Sequence, residues 1–315
     1  MGRRAVWTIV AGLGGILAVG GWGVYATTAP GPLKVDRDVV VAKGNGAAIA
    51  ESLLRDQVIS QPLVFRLAAV LTRGDGALRA AEFHIPRGAS VRQVLWILRH
   101  GKPVLHLVTF PEGITAARIA QILAQNDALS GDVVVPPEGY ILPQTYAFAR
   151  GTERDEIISR AHQALLKYLT PLPPGMSARE ILILASLVER ESALDRERPL
   201  VARVFLNRLQ LGMKLQSDPT AIYGLAGGDF SLGRALTRDD LKRDDPYNTY
   251  FILALPAGPI CAAGASSIEA VLHPADSDAL YFVADGSGGH VFARSLSDHS
   301  RNVARYRAQK EALPK

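Results

Sequence analysis

Ser177-Ala-Arg-Glu-Ile-Leu-Ile-Leu-Ala-Ser-Leu-Val-Glu-Arg-Glu-Ser192 is the stretch around which the rest of the chain arranges itself. Ser177 with Glu180 three positions on is a capping box: the hydroxyl accepts from the N3 amide and the carboxylate reaches back to the cap. The helix so opened runs through Ile181–Val188, apolar on nearly every side, which puts it inside a domain rather than on its surface. Glu189, Arg190 and Glu191 follow directly. A carboxyl leaving an apolar helix loses hydration, which disfavours its charged form and raises its pKa. A glutamic acid tuned in this way can protonate a leaving oxygen near neutral pH. Glu189 is nearer the apolar run and is the expected acid. The alternative is a helix-terminal Glu in a salt bridge with Arg190, Arg196 or Arg203. Glu191 lies about 200° further round the helix, so the two carboxylates cannot face one pocket, and it is expected in solvent or against an arginine.

Downstream, a helix is expected over about Arg196–Leu211, ended by Gly212. Gln216, Asp218 and Thr220 then fall in a loop. Asp218 before Pro219 either caps the next turn or joins Gln216 in hydrogen-bonding a sugar. Asp245-Pro-Tyr-Asn-Thr-Tyr250 brings Tyr247, Asn248 and Tyr250 together, aromatic faces and an amide of the kind a glycan cleft uses, with ordinary tyrosine packing as the alternative. Leu280–Ala293 reads as strand–turn–strand. Its glycines lack the helix and Lys of a phosphate-binding loop, so it is a hairpin, with His290 able to line a cleft at its tip. Glu138–Tyr146 is turn-rich, with Tyr140 and Tyr146 expected at the surface. Pro171-Leu-Pro-Pro-Gly175 joins two helices.

Upstream, strands are expected over Asp38–Ala42 and Ala80–Pro86, and helices over Ala47–Leu54 and Pro62–Leu71. A second capping box, Ser90 with Gln93, opens a helix over Val91–His100 that Gly101 closes. Pro86-Arg-Gly88-Ala-Ser90 is echoed 25 residues later by Pro111-Glu-Gly113-Ile-Thr115. Two copies make a pair of strand–turn–helix units, not a solenoid.

Between Arg4 and Lys34 no residue is charged. At about 1.5 Å per residue, Ala5–Tyr25 can cross a hydrocarbon layer roughly 30 Å thick, with Trp7, Trp22 and Tyr25 at the interfaces. The run exceeds the apolar core of a cleaved signal, about 7–15 residues, and Ala26-Thr-Thr-Ala29 is a poor cleavage site, so an uncleaved anchor is expected. Arg3 and Arg4 place the N-terminus in the cytoplasm and everything after residue 30 outside.

With 315 residues, 48% hydrophobic and 21% charged, the chain is no disordered polymer and has room for about two domains. A single cysteine excludes an intrachain disulfide framework and a Cys-rich zinc site. Cys261, in the loop Gly258–Gly264, reads as a small side chain. The net charge of +5 comes with acids dispersed among the bases, so no basic stripe for nucleic acid stands out. His273, His290 and His299 are far apart and without metal-ligand spacing, so no metal is expected, and with the chain outside the cytosol no cofactor is expected either.

Taken together, Ala185-Ser-Leu-Val-Glu-Arg-Glu-Ser192, Val204–Leu209, Gly212–Thr220, Tyr247–Tyr250 and Tyr281–Gly286 with Gly288-Gly-His290 resemble the YceG-like family, the endolytic murein transglycosylases, in order and spacing. The resemblance implies an α+β chain: an N-terminal transmembrane helix (residues 1–30), a linker (31–37), a small LysM-like βα subdomain (38–104) and a larger mixed α/β catalytic domain (105–315). It implies a lyase of the bacterial inner membrane, single-pass, with a cytoplasmic N-terminus and a periplasmic catalytic domain. Such an enzyme cuts MurNAc–GlcNAc bonds inside nascent peptidoglycan strands, leaves 1,6-anhydro-MurNAc ends and so terminates glycan elongation. The family's catalytic Glu is mapped onto Glu189, donating to the glycosidic oxygen and then accepting the proton of the attacking C6 hydroxyl. Gln216, Asp218, Tyr247, Asn248 and Tyr250 would hold the glycan. Peptidoglycan strands, membrane lipid around the anchor and peptidoglycan synthases are the implied partners. Gln144 where the family is acidic, Ala257 in place of a proline, and Cys261-Ala-Ala-Gly264 in place of an Asn/Pro loop depart from the pattern at the cleft rim. Two rivals stand beside this reading. One is a hydrolase using Asp218 as its second carboxylate; the other is a non-catalytic, membrane-anchored wall-binding scaffold for elongation enzymes, in which an idle buried carboxyl would be a cost.

Overall fold

A computed structural model describes residues 18–312. Most of the expected anchor, residues 1–17, lies outside the described residues. Its end, residues 18–28, is helical (α1). Among the described residues no helix is long and apolar enough to cross a membrane. The chain forms two compact units, Met1–His106 with Ala147–Gly151, and Leu107–Tyr146 with Thr152–Lys315.

In the first unit, β1 (Arg37–Val40) is followed by α2 (Gly46–Arg55), α3 (Pro62–Leu71), β2 (Glu82–Ile85) and α4 (Val91–His100). β1 and β2 are antiparallel, with Arg37 opposite Ile85 and Val40 opposite Glu82. Local chemistry sets each helix start. Asn45 Oδ1 accepts from the Ala47 and Ala48 amides, Pro62 supplies its fixed φ in the first turn of α3, and the Ser90/Gln93 capping box is present on α4. Leu53, Phe65, Phe83, Ile85, Val94 and Leu98 meet in the core with no exposed surface. Buried Glu82 accepts from His106 Nε2 at 2.6 Å and Arg150 Nε at 2.9 Å. Burial alone would raise its pKa, but these hydrogen bonds outweigh it and hold the carboxylate below its ordinary range.

Strands β3 (Leu105–Thr109) and β4 (Thr145–Ala149) pair as a ribbon. The second unit adds α5 (Ala116–Ala124), α6 (Arg154–Leu166), α7 (Ala178–Glu191), α8 (Arg198–Gln210), α9 (Asp218–Leu225), α10 (Ala265–Leu272), the antiparallel hairpin β5 (Tyr281–Ala284) and β6 (His290–Ala293), and α11 (Leu296–Ala312). Every residue of Ile181–Val188 is buried. α8 and α10 pack against α7, and Phe205, Ile260 and Ile268 complete its surroundings. The hairpin turn is fixed by the Asp285 carboxylate, which accepts from the Ser287 and Gly289 amides.

Tyr146 is not at the surface. It alternates inward on β4 with Phe148, is 7% exposed, and donates its hydroxyl to the Leu142 carbonyl at 2.6 Å. Cys261 is fully buried, and burial pushes its thiol well above the ordinary range, leaving it an inert packing residue.

Candidate active site

Two glutamates end α7, and the structure sends them opposite ways. Glu189 accepts from Arg198 through both oxygens, at 3.2 and 3.3 Å, and from the Gly264 amide at 2.9 Å. Its side chain is only 5% exposed. Arg198 is itself buried, donates to Ser267 Oγ at 3.0 Å, and lies 3.7 Å from Glu112 and 3.2 Å from Asp195. Glu189 is therefore the ion-paired helix-terminal residue of the alternative reading, with Arg198 as partner in place of Arg190, Arg196 or Arg203. Its oxygens are occupied by the protein. This geometry supports the ion-paired alternative over a free acid at Glu189.

Glu191 is on the other side of the helix, as the 200° offset requires, half-buried and bonded to a serine rather than paired with an arginine. It lines a cavity of about 290 Å³ with Arg208, Gln216, Asp218, Tyr250 and His299. Ser217 Oγ donates to its Oε1 at 2.5 Å. Burial raises its pKa to about 6; the Ser217 hydrogen bond opposes the rise and the nearby Asp218 charge adds to it.

Two loops bring the other cavity residues together. The Thr249 carbonyl accepts from the Gln216 amide at 3.2 Å, and Thr249 Oγ1 accepts from the Ser217 amide at 2.9 Å. Thr220 and Thr249 hydroxyls lie 2.8 Å apart in the same buried seam. Gln216 is held at φ 54, left-handed for a non-glycine residue, with its Oε1 accepting from Arg208 at 3.4 Å. Asp218 does not cap α9. It is the first helical residue, and its Oδ1 accepts from the Tyr250 hydroxyl at 2.5 Å. Burial, then this bond, raises the Tyr250 pKa, so the phenol stays protonated. Arg208 spans the floor, donating to the Leu280 carbonyl at 2.7 Å and the Leu215 carbonyl at 2.8 Å. His299 stacks on Tyr281 at 5.2 Å, and burial lowers its pKa.

Gln216, Asp218 and Tyr250 are thus in one cavity, and Tyr247 and Asn248 are behind it. The Tyr247 ring packs 4.9 Å from Tyr223 against the core. Asn248 is 2% exposed; its amide donates to the Arg243 carbonyl at 2.8 Å and the Leu241 carbonyl at 3.1 Å, and its oxygen accepts from the Tyr250 amide at 3.1 Å. Asn248 spends its hydrogen-bonding capacity inside the protein, and Tyr247 packs in the ordinary way the sequence left open as the alternative. Asn248→Ala should lower unfolding stability by about 1–3 kcal/mol, measured by urea titration, because the Arg243 and Leu241 carbonyls and the Tyr250 amide lose the buried side chain that bonds all three. His290 is likewise held away from the cavity, by Glu197 at 2.8 Å. Arg208 and His299 line the cavity and Ser217 bonds Glu191 from the buried side; the sequence reading gave none of the three a role in the site.

These features define a half-buried glutamate with a raised pKa on the wall of a polar cavity. The model of the YceG-like family matches residues 39–305, and the chain belongs to that family. It is 30% identical over 337 residues to the endolytic murein transglycosylase of Bacillus subtilis (strain 168), covering 93% of this chain and 92% of that one. It is 28% identical over 349 residues to the endolytic murein transglycosylase of Streptococcus pneumoniae serotype 2, covering 92% of this chain and 63% of the relative. A crystal structure of a yceG-like protein from Listeria monocytogenes, 30% identical, superposes with a TM-score of 0.50 over 85% of this chain and 99% of that chain.

Proposed function

We propose that the chain is an endolytic murein transglycosylase whose acid and base is Glu191. The observation that carries this reading is a carboxyl with a pKa of about 6 on the wall of a cavity shared with Asp218, Gln216 and Tyr250. Protonated Glu191 gives its proton to the oxygen between MurNAc C1 and GlcNAc, and that C–O bond breaks. Positive charge develops at C1, and the Asp218 carboxylate, oriented by Tyr250, stabilises it. The Glu191 carboxylate then takes the proton of the MurNAc C6 hydroxyl, whose oxygen closes on C1. No water is consumed, and the acid is regenerated. Gln216 and Arg208 offer donors to the glycan.

The wider setting is part of the same proposal. The uncharged run Ala5–Tyr25 supports a single-pass anchor in the inner membrane, with the second unit in the periplasm. The order β1-α2-α3-β2 supports a LysM-like subdomain over about 38–104, ahead of a catalytic domain over 105–315. Action on nascent strands makes peptidoglycan synthases natural neighbours.

Incubating the full chain with purified glycan strands and reading products by mass spectrometry tests the reaction. Anhydro-MurNAc ends are expected. Reducing ends, with Asp218→Asn as damaging as Glu191→Gln, would establish hydrolysis instead. The rate should also fall as pH rises through about 6, by roughly tenfold per unit once Glu191 is ionised, because the first step needs the acid form. A rate that climbs through that range would exclude Glu191 as the acid.

A further inference from the structure

The first unit carries an apolar face that its own core does not use. On α3, Leu63, Leu67, Val70 and Leu71 follow helical spacing on the side away from buried Val64, Phe65 and Ala68. On α4, Arg92, Trp96 and His100 form a second exposed stripe. The four α3 residues and Trp96 are between 61% (Trp96) and 83% (Leu71) exposed. Four exposed aliphatic side chains on one helix, with an exposed tryptophan on the helix packed against it, mark an interaction site.

Two further observations say what covers it. The first is where the uncharged N-terminal run ends. Ala26 packs against this unit's core. Thr27 lines a hollow of about 370 Å³ together with Ala68 and Thr72 of the α3 end and Trp96 and His100 of α4. Trp22 and Tyr25 line another with Val58 and Ile59. The described end of the uncharged stretch, Trp22–Thr27, therefore lies beside α3 and α4. The second observation is charge. Residues 62–102 hold seven Lys and Arg against two acids, Asp75 and Glu82. Both acids are already paired, Asp75 with Arg99 and Glu82 with His106 and Arg150. Basic residues around exposed leucines and a tryptophan match an anionic bilayer surface, where the indole sits at headgroup level and the guanidinium groups reach phosphates. Aliphatic side chains offer nothing to sugar hydroxyls.

We propose that this face lies on the periplasmic surface of the anionic phospholipid bilayer, with Leu63, Leu67, Leu71 and Trp96 at the boundary between headgroups and acyl chains and Arg66 and Arg92 on phosphates. The proposal rests on the membrane-anchor reading above. The first unit is then a lipid-bound foot rather than a module swinging free on a tether.

Trp96 is a built-in reporter, because the chain has only three tryptophans. With Trp7→Phe and Trp22→Phe it becomes the only one. The full chain would be reconstituted in phosphatidylglycerol–phosphatidylethanolamine vesicles carrying lipids brominated near the headgroup. Trp96 emission is expected to shift to the blue and be quenched. Exchanging phosphatidylglycerol for phosphatidylcholine, or adding salt, should weaken the quenching. Leu67→Glu with Leu71→Glu should abolish it while the chain still floats with the vesicles and melts unchanged, since both residues are exposed. A chain that floats with Trp96 unquenched overturns this proposal and leaves the anchor intact. A chain that does not float takes down both. A blue shift that depends on protein concentration without quenching assigns the face to a second copy, and one produced by soluble glycan fragments assigns it to sugar; either overturns the proposal.

Discussion

Glu191→Gln is expected to reduce release of anhydro-MurNAc ends by roughly 10²–10⁴-fold, the usual contribution of a positioned general acid, without loss of fold. The stability side of this result has a definite sign. The folded-state pKa of Glu191 is raised from 4.5 to about 6, so its contribution is fully present below the unfolded value and lost as pH rises through about 6. At neutral pH the ionised side chain is thus a net burden on the fold, of order 2 kcal/mol for a shift of this size. The glutamine carries no charge and can still accept from Ser217. The variant should therefore be dead yet as stable as the parent or more so at pH 7.5, with the difference vanishing near pH 4. Product analysis and urea titrations at the two pH values check both halves. A variant that cleaves normally would return the catalytic assignment to another residue.

The converse holds one helical face away. Arg198→Met is expected to lower stability by about 3–5 kcal/mol, because it leaves the Glu189 carboxylate buried without its cation. Asp195 and Glu112 also lose their contact with the guanidinium. For a unit of this size that corresponds to a melting point lower by roughly 6–20 °C. Glu189→Leu combined with Arg198→Met should recover much of the loss, since removing both partners strands neither charge. Per folded molecule, cleavage by Glu189→Gln should stay near the parent rate. Thermal melts and active-site titration separate the two glutamates cleanly: one variant loses chemistry, the other loses fold.

Much of the framework was legible because it is written in local chemistry. Ser177/Glu180 and Ser90/Gln93 are reciprocal caps whose partners are three residues apart, and both form as read. Pro62–Leu71 is helical over the bounds expected, and the glycine-rich turn after Ala284 makes a hairpin. The burial of Ile181–Val188 was also legible, but that same uniform burial hid the site. With apolar residues all round α7, nothing in its periodicity says which face meets a cavity and which meets Arg198. Proximity to the apolar run favoured Glu189, whereas the deciding contacts, Arg198 with Glu189 and Ser217 with Glu191, span 9 and 26 residues. The inward bonding of Asn248 was hidden for a related reason. An amide beside tyrosines suits a glycan cleft, and equally suits a loop whose carbonyls need a buried donor; only the tertiary path of residues 240–250 separates these. Tyr146 looked exposed because its neighbours are turn formers, yet its place as the second residue of β4 turns it inward.

Gln216 sits in a backbone conformation that glycine or asparagine would adopt more readily, a strain of order 1 kcal/mol, while its side chain faces the cavity. Evolution and engineering would therefore read this position with opposite preferences. A library ranked by heat resistance should enrich glycine at 216, and one ranked by turnover should discard it, so thermostabilised descendants of this chain would drift toward inactivity at a residue that never touches the proton being transferred.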